Sequence, residues 1–334
     1  MSIKDFSIRA IRYFYRFFSC GVFLPPDCIC DRQTSNNAIY QLLEDGTPTM
    51  ISRLGTTEIN CINNYLCIVS PESYRKKIVD YISGNTHTPW WDNNCIKQLY
   101  NYSGVFPIGQ DIATRFSELY LNDIPEIDLI GCHQYYERFM PLREDVSRVQ
   151  LEMLYPFFVD NPWTRILKGK RVLVIHPFEQ TIKNQYEKRH LLFDNPEILP
   201  DFELITLKAV QTIAGNKSEF ANWFDALAFM ERKIERIDFD IAIIGCGAYG
   251  LPLAAFIKRI GKQAIHLGGG TQLLFGILGK RWTESYKKKG TWNYRPGVEI
   301  DIDYTPLFNE HWIYPLAIDT PQNTEAVENS CYWK

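Results

Sequence analysis

Short apolar runs alternate with longer amphipathic segments along most of the sequence, and this alternation restricts the fold more than any other feature. The runs are rich in isoleucine and valine, as is typical of strands that are buried on both faces. They lie at residues 49–55, 127–132, 171–177, 202–209, 240–245 and 263–269. The segments with helical spacing are PESYRKKIVDYIS, DVSRVQLEMLYPFF, EQTIKNQYEKRHLLF, SEFANWFDALAFMERKIERI and AYGLPLAAFIKRIG. We therefore predict an α/β fold with a Rossmann-like, mostly parallel sheet flanked by helices.

The regularity of this alternation changes along the chain and predicts four parts. A chain of 334 residues can form one large α/β unit or two lobes that share a cleft. We predict a basic and aromatic helical appendage at 1–34, an N-terminal α/β lobe at 35–165, a Rossmann-like lobe at 166–283 and a tail at 284–334. The alternation stops at the tail, so the tail is expected to wrap around the body and to border a site.

Composition and charge argue against several functions. A net charge of -3 gives no reason to expect nucleic-acid binding. The nine cysteines are scattered, without a CxxC pair or zinc-type spacing, which is typical of reduced, mostly buried thiols. Because we find neither a signal peptide nor a long apolar span, we expect a soluble, cytoplasmic protein.

Residues 1–20 are both basic and aromatic. On a helix, Arg9, Arg12 and Arg16 share one face, with aromatic side chains around the rest. One interpretation is a peripheral contact with the inner face of the membrane, because basic aromatic helices bind anionic bilayers. The other interpretation is a helix that docks on the body of the protein, and the sequence does not decide between them.

A glycine-rich turn, Gly245-x-Gly247-x-x-Gly250, joins an apolar run to a helical segment, as in dinucleotide-binding folds. In such folds an acidic residue at the end of the next strand binds the ribose. Here the next strand, at residues 263–269, ends in His266 and glycines, so NAD binding is not expected. Two successive turns would still present backbone N–H groups to a diphosphate. The alternative is that the glycines serve only close packing. The predicted ligand-binding residues here are Gly245, Gly247, Ala248, Tyr249, Gly250, His266, Gly268, Gly269, Gly270, Thr271 and Gln272.

The segment MISRLGTTEINCI places a second polar group where a strand ends and a helix begins. Ligands enter α/β sheets at such points. Arg53 is a guanidinium in an otherwise apolar strand, so it must be paired or face a polar cleft, and Glu58 lies within reach around the turn. Glu58 also has a structural interpretation, because an acid in the first turn of a helix stabilises the helix dipole.

This segment resembles that of bacterial glycosyltransferases with the GT-D type of fold. In that family the first strand leads into an Arg-Phe-Gly-Asp-Gly-Glu segment with a metal-binding Asp-x-Glu. Arg53, Gly55 and Glu58 match it. Leu54 replaces the aromatic residue, and Thr56 replaces the first acid. Farther along, DIAIIGCGAYGLPLAAFIKRIGKQAIHLGG is similar to the family's late strand, glycine-rich turn, helix and following strand.

The resemblance covers most of residues 35–282 and implies a transferase with a nucleotide-sugar donor, with a UDP-sugar as the first expectation. It implies that Arg53 and Glu58 act at the reacting sugar. It also implies Mn²⁺ or Mg²⁺, which without the first acid would be held by Glu58, the nucleotide phosphates and water. The same carboxylate is the alternative base for the acceptor hydroxyl. The residues assigned to the site on this basis are Arg53, Gly55, Thr56, Thr57 and Glu58.

Residues at neighbouring strand ends complete the predicted site. His176 ends RVLVIHP and is expected to act in catalysis, with a structural histidine as the alternative. Basic side chains near it, Lys183, Arg189 and Lys208, would neutralise a leaving diphosphate, with an exposed helix face as the alternative for Lys183 and Arg189. Lys280 and Arg281, after the last strand, would hold a nucleotide or a lipid-linked pyrophosphate acceptor, with an exposed loop as the alternative. His133, Gln134, Tyr135 and Glu137 follow another strand and suit sugar recognition.

Together these features predict a glycosyltransferase that moves a sugar from a nucleotide-diphosphate donor to a glycan or lipid-linked acceptor in surface-polysaccharide biosynthesis. Two other classes stay open. A Rossmann-type oxidoreductase or methyltransferase would bind an adenine cofactor. In a non-catalytic nucleotide- or sugar-binding module, substitutions in the glycine turns would abolish ligand binding, whereas replacement of Glu58 would be tolerated.

Overall fold

The computed structural model describes residues 3–18, 24–284, 302–322, 324–326 and 330–333. Its centre is a seven-stranded, all-parallel sheet with the strand order β3-β2-β1-β7-β6-β4-β5. The strands are β1 Thr49–Arg53, β2 Leu129–Cys132, β3 Ser147–Gln150, β4 Arg171–His176, β5 Glu203–Lys208, β6 Ile241–Ile244 and β7 Gln263–His266. All six predicted runs contain a strand, and the predicted Rossmann-like α/β arrangement is confirmed.

Strand β1 lies in the middle of the sheet and joins the two halves of the chain. On one side Ile51 pairs with Leu129 of β2, and on the other it pairs with Ile265 of β7. The boundary predicted near residue 165 falls between β3 and β4, and strands from both sides of it form this one sheet. Because all the strands are parallel, their carboxyl ends share one edge, where ligands of α/β proteins bind.

Helices pack on both faces of the sheet. They are α1 Ile3–Phe18, α2 Arg32–Glu44, α3 Thr56–Val69, α4 Tyr74–Ser83, α5 Asn93–Ser103, α6 Gln110–Asp123, α7 Glu179–Glu187, α8 Trp223–Ile234, α9 Gly250–Arg259, α10 Gly270–Leu274 and α11 Lys280–Glu284. Several start at side-chain caps, since Asp31, Ser73 and Asp92 each accept a hydrogen bond from a first-turn N–H. Among the described residues, we find no helix that is both long and apolar enough to cross a bilayer.

The helix predicted for DVSRVQLEMLYPFF is wrong. Residues 147–150 form β3, and a short 3-10 turn, Leu151–Leu154, follows it. Val149 is fully buried, pairs with Gly131 of β2, and forms a bridge to Ile29 on its other side. These partners are distant in sequence, and the helical spacing of the apolar residues gives no sign of them.

The apolar core forms two layers, one on each face of the sheet. Along β4, Leu173 belongs to one layer and Val174 to the other, because successive side chains of a strand point to opposite faces. Helices α3, α5, α6, α8 and α9 complete the first layer. The second layer contains α2, α7 and aromatic residues of the tail, including Trp312 and Trp333. The carboxyl edge of the sheet lies between these two layers.

The described end of the tail is held against α11 by backbone hydrogen bonds. The N–H of Lys280 donates to the carbonyl of Trp333 at 3.1 Å, and the N–H of Arg281 donates to that of Cys331 at 2.8 Å. These bonds bring the last residues of the chain to the carboxyl edge of the sheet. Residues 285–301, with the predicted KKKGTWNYRPG segment, lie outside the described residues.

Candidate ligand-binding site

A cavity of about 110 Å³ opens at the carboxyl ends of the central strands. Four strands contribute to it, since Arg53 ends β1, His176 ends β4, His266 ends β7 and Gly245 follows β6. The predicted site residues that line this cavity are Arg53, His176, Gly245, Gly247, Tyr249, His266, Gly268, Gly269 and Gln272. Parallel topology therefore brings together residues from distant parts of the sequence.

The two glycine-rich turns touch each other beside this cavity. Gly247 and Gly268 have φ angles of +59° and +57°, a left-handed conformation that favours glycine. A methyl group at Gly245 would lie 2.6 Å from the carbonyl oxygen of Gly268, so this close approach also requires glycine. Within the described residues, the N–H groups of Cys246 and Gly247 donate to no protein acceptor. Free N–H groups ahead of a helix, here α9, suit an anion.

Other predicted ligand-binding residues of these turns serve packing instead. A methyl group at Gly250 would lie 2.2 Å from Nε2 of His266, and one at Gly270 would lie 2.0 Å from Cε1 of Tyr155. The hydroxyl of Thr271 donates to the carbonyl of Ile244 at 3.2 Å. These contacts stabilise the turns. The cavity itself is lined by other glycines of the two turns, namely Gly245, Gly247, Gly268 and Gly269. Ala248 is also buried, as part of the first core layer.

Gln272 fixes the tail against the cavity. Its side-chain amide donates to the carbonyls of Leu278 at 2.7 Å and Tyr332 at 3.0 Å. Tyr332 and Trp333 line the cavity, so the predicted role of the tail at the border of the site has a structural basis. The guanidinium of Arg281 lies 5.0 Å from the ring centroid of Tyr332, and its Nη1 donates to the Tyr332 hydroxyl at 3.1 Å.

Arg53 faces the cavity without a counter-ion. It is half-buried, and a methyl group at Gly268 would lie 3.4 Å from its Cδ. Among the described residues, no carboxylate forms an ion pair with its guanidinium. Of the two alternatives for Arg53, a pair with Glu58 or a position at a polar cleft, the structure shows the second. An unpaired guanidinium at the wall of a cavity favours an anionic ligand, because its partial burial is then compensated.

Glu58 lies in the first turn of α3, after the end of β1, and does not line the cavity. It is buried, its carboxylate lies over Gly55, and it accepts a hydrogen bond from the Thr57 hydroxyl at 3.1 Å. Its position in the first turn of α3 matches the structural interpretation, in which the acid stabilises the helix dipole.

Glu58 is the one carboxylate that this segment offers to a divalent cation. Thr56 replaces the first acid of the motif, and its hydroxyl accepts a hydrogen bond from the amide of Gln134. Among the described residues, no three His, Cys, Asp or Glu side chains lie close enough together to bind a metal. A divalent cation at this segment would therefore take its other oxygen ligands from nucleotide phosphates and water.

The cavity contains two buried, neutral histidines. The N–H of Phe178 donates to Nδ1 of His176 at 2.9 Å, which places the proton of the neutral ring on Nε2. His266 Nδ1 lies 3.1 Å from the Ser52 hydroxyl, while its Nε2 is buried and has no partner among the described residues. Burial lowers the pKa of His176 to about 3, and burial together with the Arg53 charge lowers that of His266 to about 3.

The lowered pKa argues against a general-base role for His176. A group with a pKa near 3 is a poor general base at neutral pH, because efficient bases have a pKa near the working pH. The Nε2–H of the neutral ring is instead a hydrogen-bond donor. His133 is similar, since burial lowers its pKa although Glu137 lies 3.3 Å from its Nδ1.

The buried histidines predict a loss of stability in acid. An unfolded histidine binds a proton near pH 6.5, whereas His176 and His266 stay neutral in the folded protein to about pH 3. The unfolded state therefore binds more protons between these values, so stability is full above pH 6.5 and falls as the pH decreases. Each ring contributes up to about 1.4 kcal/mol per pH unit.

Urea unfolding at about pH 6 and about pH 5 measures this slope. We expect His266→Gln to reduce the slope by about 1 kcal/mol per pH unit, while the control His190→Gln, at an exposed position, leaves it unchanged. An unchanged slope in His266→Gln would contradict the burial of a neutral imidazole at this position.

Three predicted phosphate ligands lie away from the cavity. Lys183 pairs with Glu179 at 3.0 Å on the exposed face of α7. Arg189 pairs with Asp201 at 2.5 Å. Lys208, at the end of β5, reaches toward Asp319 at 3.7 Å. Their charges are already compensated, which supports the alternative of surface residues over a role in ligand binding. Lys280 begins α11 and does not line the cavity either.

The structure adds cavity residues that sequence reasoning missed. Tyr102 and Ser103 end α5, and residues 210–213 follow β5. The second group follows a predicted strand and could have been found by the same rule that identified His176. The first group has no such signal, because α5 reaches the cavity through its packing on α3, on α6 and on residues 213–215.

Glu152 is a further residue that the sequence did not identify. It follows the missed strand β3 and accepts a hydrogen bond from the Tyr304 hydroxyl. Burial raises its pKa, whereas Tyr304 and the charges of Arg281, Arg53 and Arg32 lower it. This carboxylate is therefore buried within the electrostatic range of three arginines, and its neighbours Met153, Leu154 and Tyr304 belong to the second core layer.

Comparisons with protein-family models, with curated proteins and with solved structures found no match for this chain.

Proposed function

We propose that this protein is a glycosyltransferase that uses a nucleoside-diphosphate sugar, in the first instance a UDP-sugar. The observation that carries the proposal is the unpaired guanidinium of Arg53, which faces two glycine turns across one cavity. The resemblance of the segment around Arg53 to GT-D glycosyltransferases supports the same conclusion. The acceptor would be a glycan or a lipid-linked sugar in surface-polysaccharide assembly on the cytoplasmic side of the membrane.

A diphosphate fits the charge and donors of this cavity. The N–H groups of Cys246 and Gly247 precede α9, a helix of 10 residues whose N-terminus favours negative charge. Arg53 adds a full positive charge, and the Nε2–H of His176 adds a neutral donor. Tyr102 and Gln211 provide an aromatic ring and an amide for the nucleoside or sugar.

In this proposal the chemical step depends on groups of the protein that stabilise negative charge on the leaving diphosphate. As the glycosidic bond to the donor breaks, negative charge develops on the leaving diphosphate. Arg53 and the turn N–H groups would stabilise that charge, in the way that fixed donors stabilise a transition state. Every group that acts in this proposed step belongs to the chain itself, so the step as proposed needs no divalent cation.

The competing dinucleotide enzymes require a different residue at the end of β7. An NAD-dependent enzyme would hold the ribose with a carboxylate there, and His266 occupies the position. Its ring is neutral, and its Nδ1 is engaged by Ser52.

A thermal-shift panel tests the proposed function. The ligands are UDP, GDP, CMP, TDP, NAD and S-adenosylmethionine, each with and without Mn²⁺. A ligand at 100 times its dissociation constant adds about 2.7 kcal/mol to stability, which gives a clear shift. We expect a nucleoside diphosphate to stabilise the protein in the absence of Mn²⁺. Stabilisation by NAD or S-adenosylmethionine alone would contradict the proposal, and so would the absence of any shift.

A further inference from the structure

Helix α1 turns two of its arginines toward the body of the protein. Arg9 pairs with Asp92 at 3.1 Å. The guanidinium of Arg12 lies 4.2 Å from the ring centroid of Tyr81 and donates to the carbonyl of Thr86 at 3.3 Å. The docked interpretation of this helix is therefore correct for its basic face, and these two arginines are not available as the bilayer-binding face that the sequence suggested.

The outward side of α1 is aromatic. Tyr13, Phe14, Phe17 and Phe18 are between 62% and 79% exposed, and Ile11 is 52% exposed. Single exposed apolar residues are common, but a contiguous group of large ones marks a surface that contacts a partner or a membrane.

Helix α4, which packs beside α1, extends this surface. Tyr74 and Val79 are each 60% exposed, and the basic residue Arg75 is exposed beside Tyr74. The neighbouring Lys76 pairs with Asp80 at 2.6 Å. We call the group Tyr13, Phe14, Phe17, Phe18, Tyr74 and Val79 the aromatic surface. It combines apolar rings with positive charge, which is the composition of segments that lie in the interface of an anionic bilayer.

Charge distinguishes a bilayer from a second copy of the chain as the occupant. Arg9 and Arg12 are engaged with the body, so the charge that counts is that of the region as a whole. Helices α1 and α4 together contain seven basic and two acidic residues, although the whole chain has a net charge of -3. A two-fold dimer through this surface would bring like charges together, because an isologous contact places the same surface on both sides. An anionic bilayer complements the charge, since each basic residue near it is attracted by the surface potential.

We propose that the aromatic surface anchors the protein to an anionic lipid bilayer. Helix α1 lies parallel to the bilayer, with Phe14, Phe17 and Phe18 at the boundary between headgroups and acyl chains. Tyr13 and Tyr74 lie at the headgroups, where rings with one polar end are favoured. Arg9 and Arg12 hold the helix to the body, so binding brings the whole protein to the lipid surface.

Vesicle co-sedimentation of the full chain tests this proposal. The probes are vesicles of phosphatidylglycerol with phosphatidylethanolamine, and vesicles of phosphatidylcholine alone. We expect the wild type to bind the anionic vesicles, and the triple variant Phe14→Ser, Phe17→Ser, Phe18→Ser to bind at least about tenfold more weakly. The matched control is Ile108→Ser with Ile318→Ser, which removes two exposed apolar residues outside α1 and α4 and should bind within about twofold of the wild type.

Three results would overturn the proposal. The first is equal sedimentation of the wild type with and without anionic vesicles. The second is equal sedimentation of the triple variant and the wild type. The third is a wild type that elutes as a dimer and a triple variant that elutes as a monomer, because a second copy would then cover the surface. Urea unfolding establishes that the variant is folded, and the nucleotide panel gives an independent readout, since the cavity lies elsewhere in the fold.

Discussion

Replacement of Arg53 by glutamine should weaken nucleoside-diphosphate binding by about tenfold to a hundredfold. Hydrogen bonds to charged groups contribute about 1.5–3 kcal/mol, and each 1.4 kcal/mol is a tenfold change in the dissociation constant. Arg53→Lys should have an intermediate effect, because lysine keeps the charge but lacks the planar fork that binds phosphate in a bidentate manner. Titration calorimetry with the nucleotide that shifts the melting temperature most measures the change directly.

The free protein provides a second signature of this arginine. Arg53 is half-buried and has no counter-ion among the described residues, so its removal relieves a desolvation cost. We therefore expect Arg53→Gln to be no less stable than the wild type without ligand. The matched control is Arg189→Gln, which removes a guanidinium paired with Asp201 outside the cavity and should leave nucleotide affinity unchanged. Equal affinities of the two variants would remove Arg53 from the binding site.

Gly250→Ala should destabilise the protein by about 1–3 kcal/mol, which is the usual cost of overpacking. The direction of the change is informative. Gly250 has a φ of -61° and begins α9, where alanine would ordinarily be favoured over glycine by up to about 1 kcal/mol. Here the new methyl group would lie 2.2 Å from Nε2 of the buried His266. Urea denaturation measures whether this steric contact outweighs helix propensity.

A double-mutant cycle separates the steric cause from others. In a His266→Ser background the methyl group at position 250 has room, so Gly250→Ala should cost less than it does in the wild type. The control Gly261→Ala has φ +86° and no neighbour within 4 Å, so only backbone strain of about 1–2 kcal/mol is expected there, independent of His266. Stabilisation by Gly250→Ala in the wild-type background would show that the close contact with His266 is absent in solution.

The sheet was predictable where its strands are buried on both faces. Runs such as RVLVIHP and DIAIIG contain almost no polar residues, and their order gives a parallel sheet with a common carboxyl edge. That topology alone places Arg53, His176, Gly245 and His266 at one cavity. Strand β3 was missed because its sequence, SRVQ, is polar and its pairing with β2 depends on residues far away in the chain.

Side-chain direction was the part that the sequence could not supply. Residues that follow a strand were placed at the correct edge, but whether a side chain points into the cavity depends on packing of the helix behind it. Two side chains show this limit. Lys183 pairs with Glu179 on the surface of α7, and the Glu58 carboxylate lies over Gly55 and does not pair with Arg53. The same limit applies to α1, where helical spacing groups the arginines but does not show that Arg9 meets Asp92.

Hydrogen–deuterium exchange with and without nucleotide tests the central claim most directly, because it locates the ligand on the chain. The ligand is the nucleoside diphosphate that gives the largest shift in the thermal panel. We expect slower exchange in peptides that cover residues 245–250 and 266–272, with little change in α1 and α7, and we expect this protection to be lost in Arg53→Gln. Protection elsewhere, or no nucleoside diphosphate that stabilises the protein, would contradict the assignment of this cavity as the donor site.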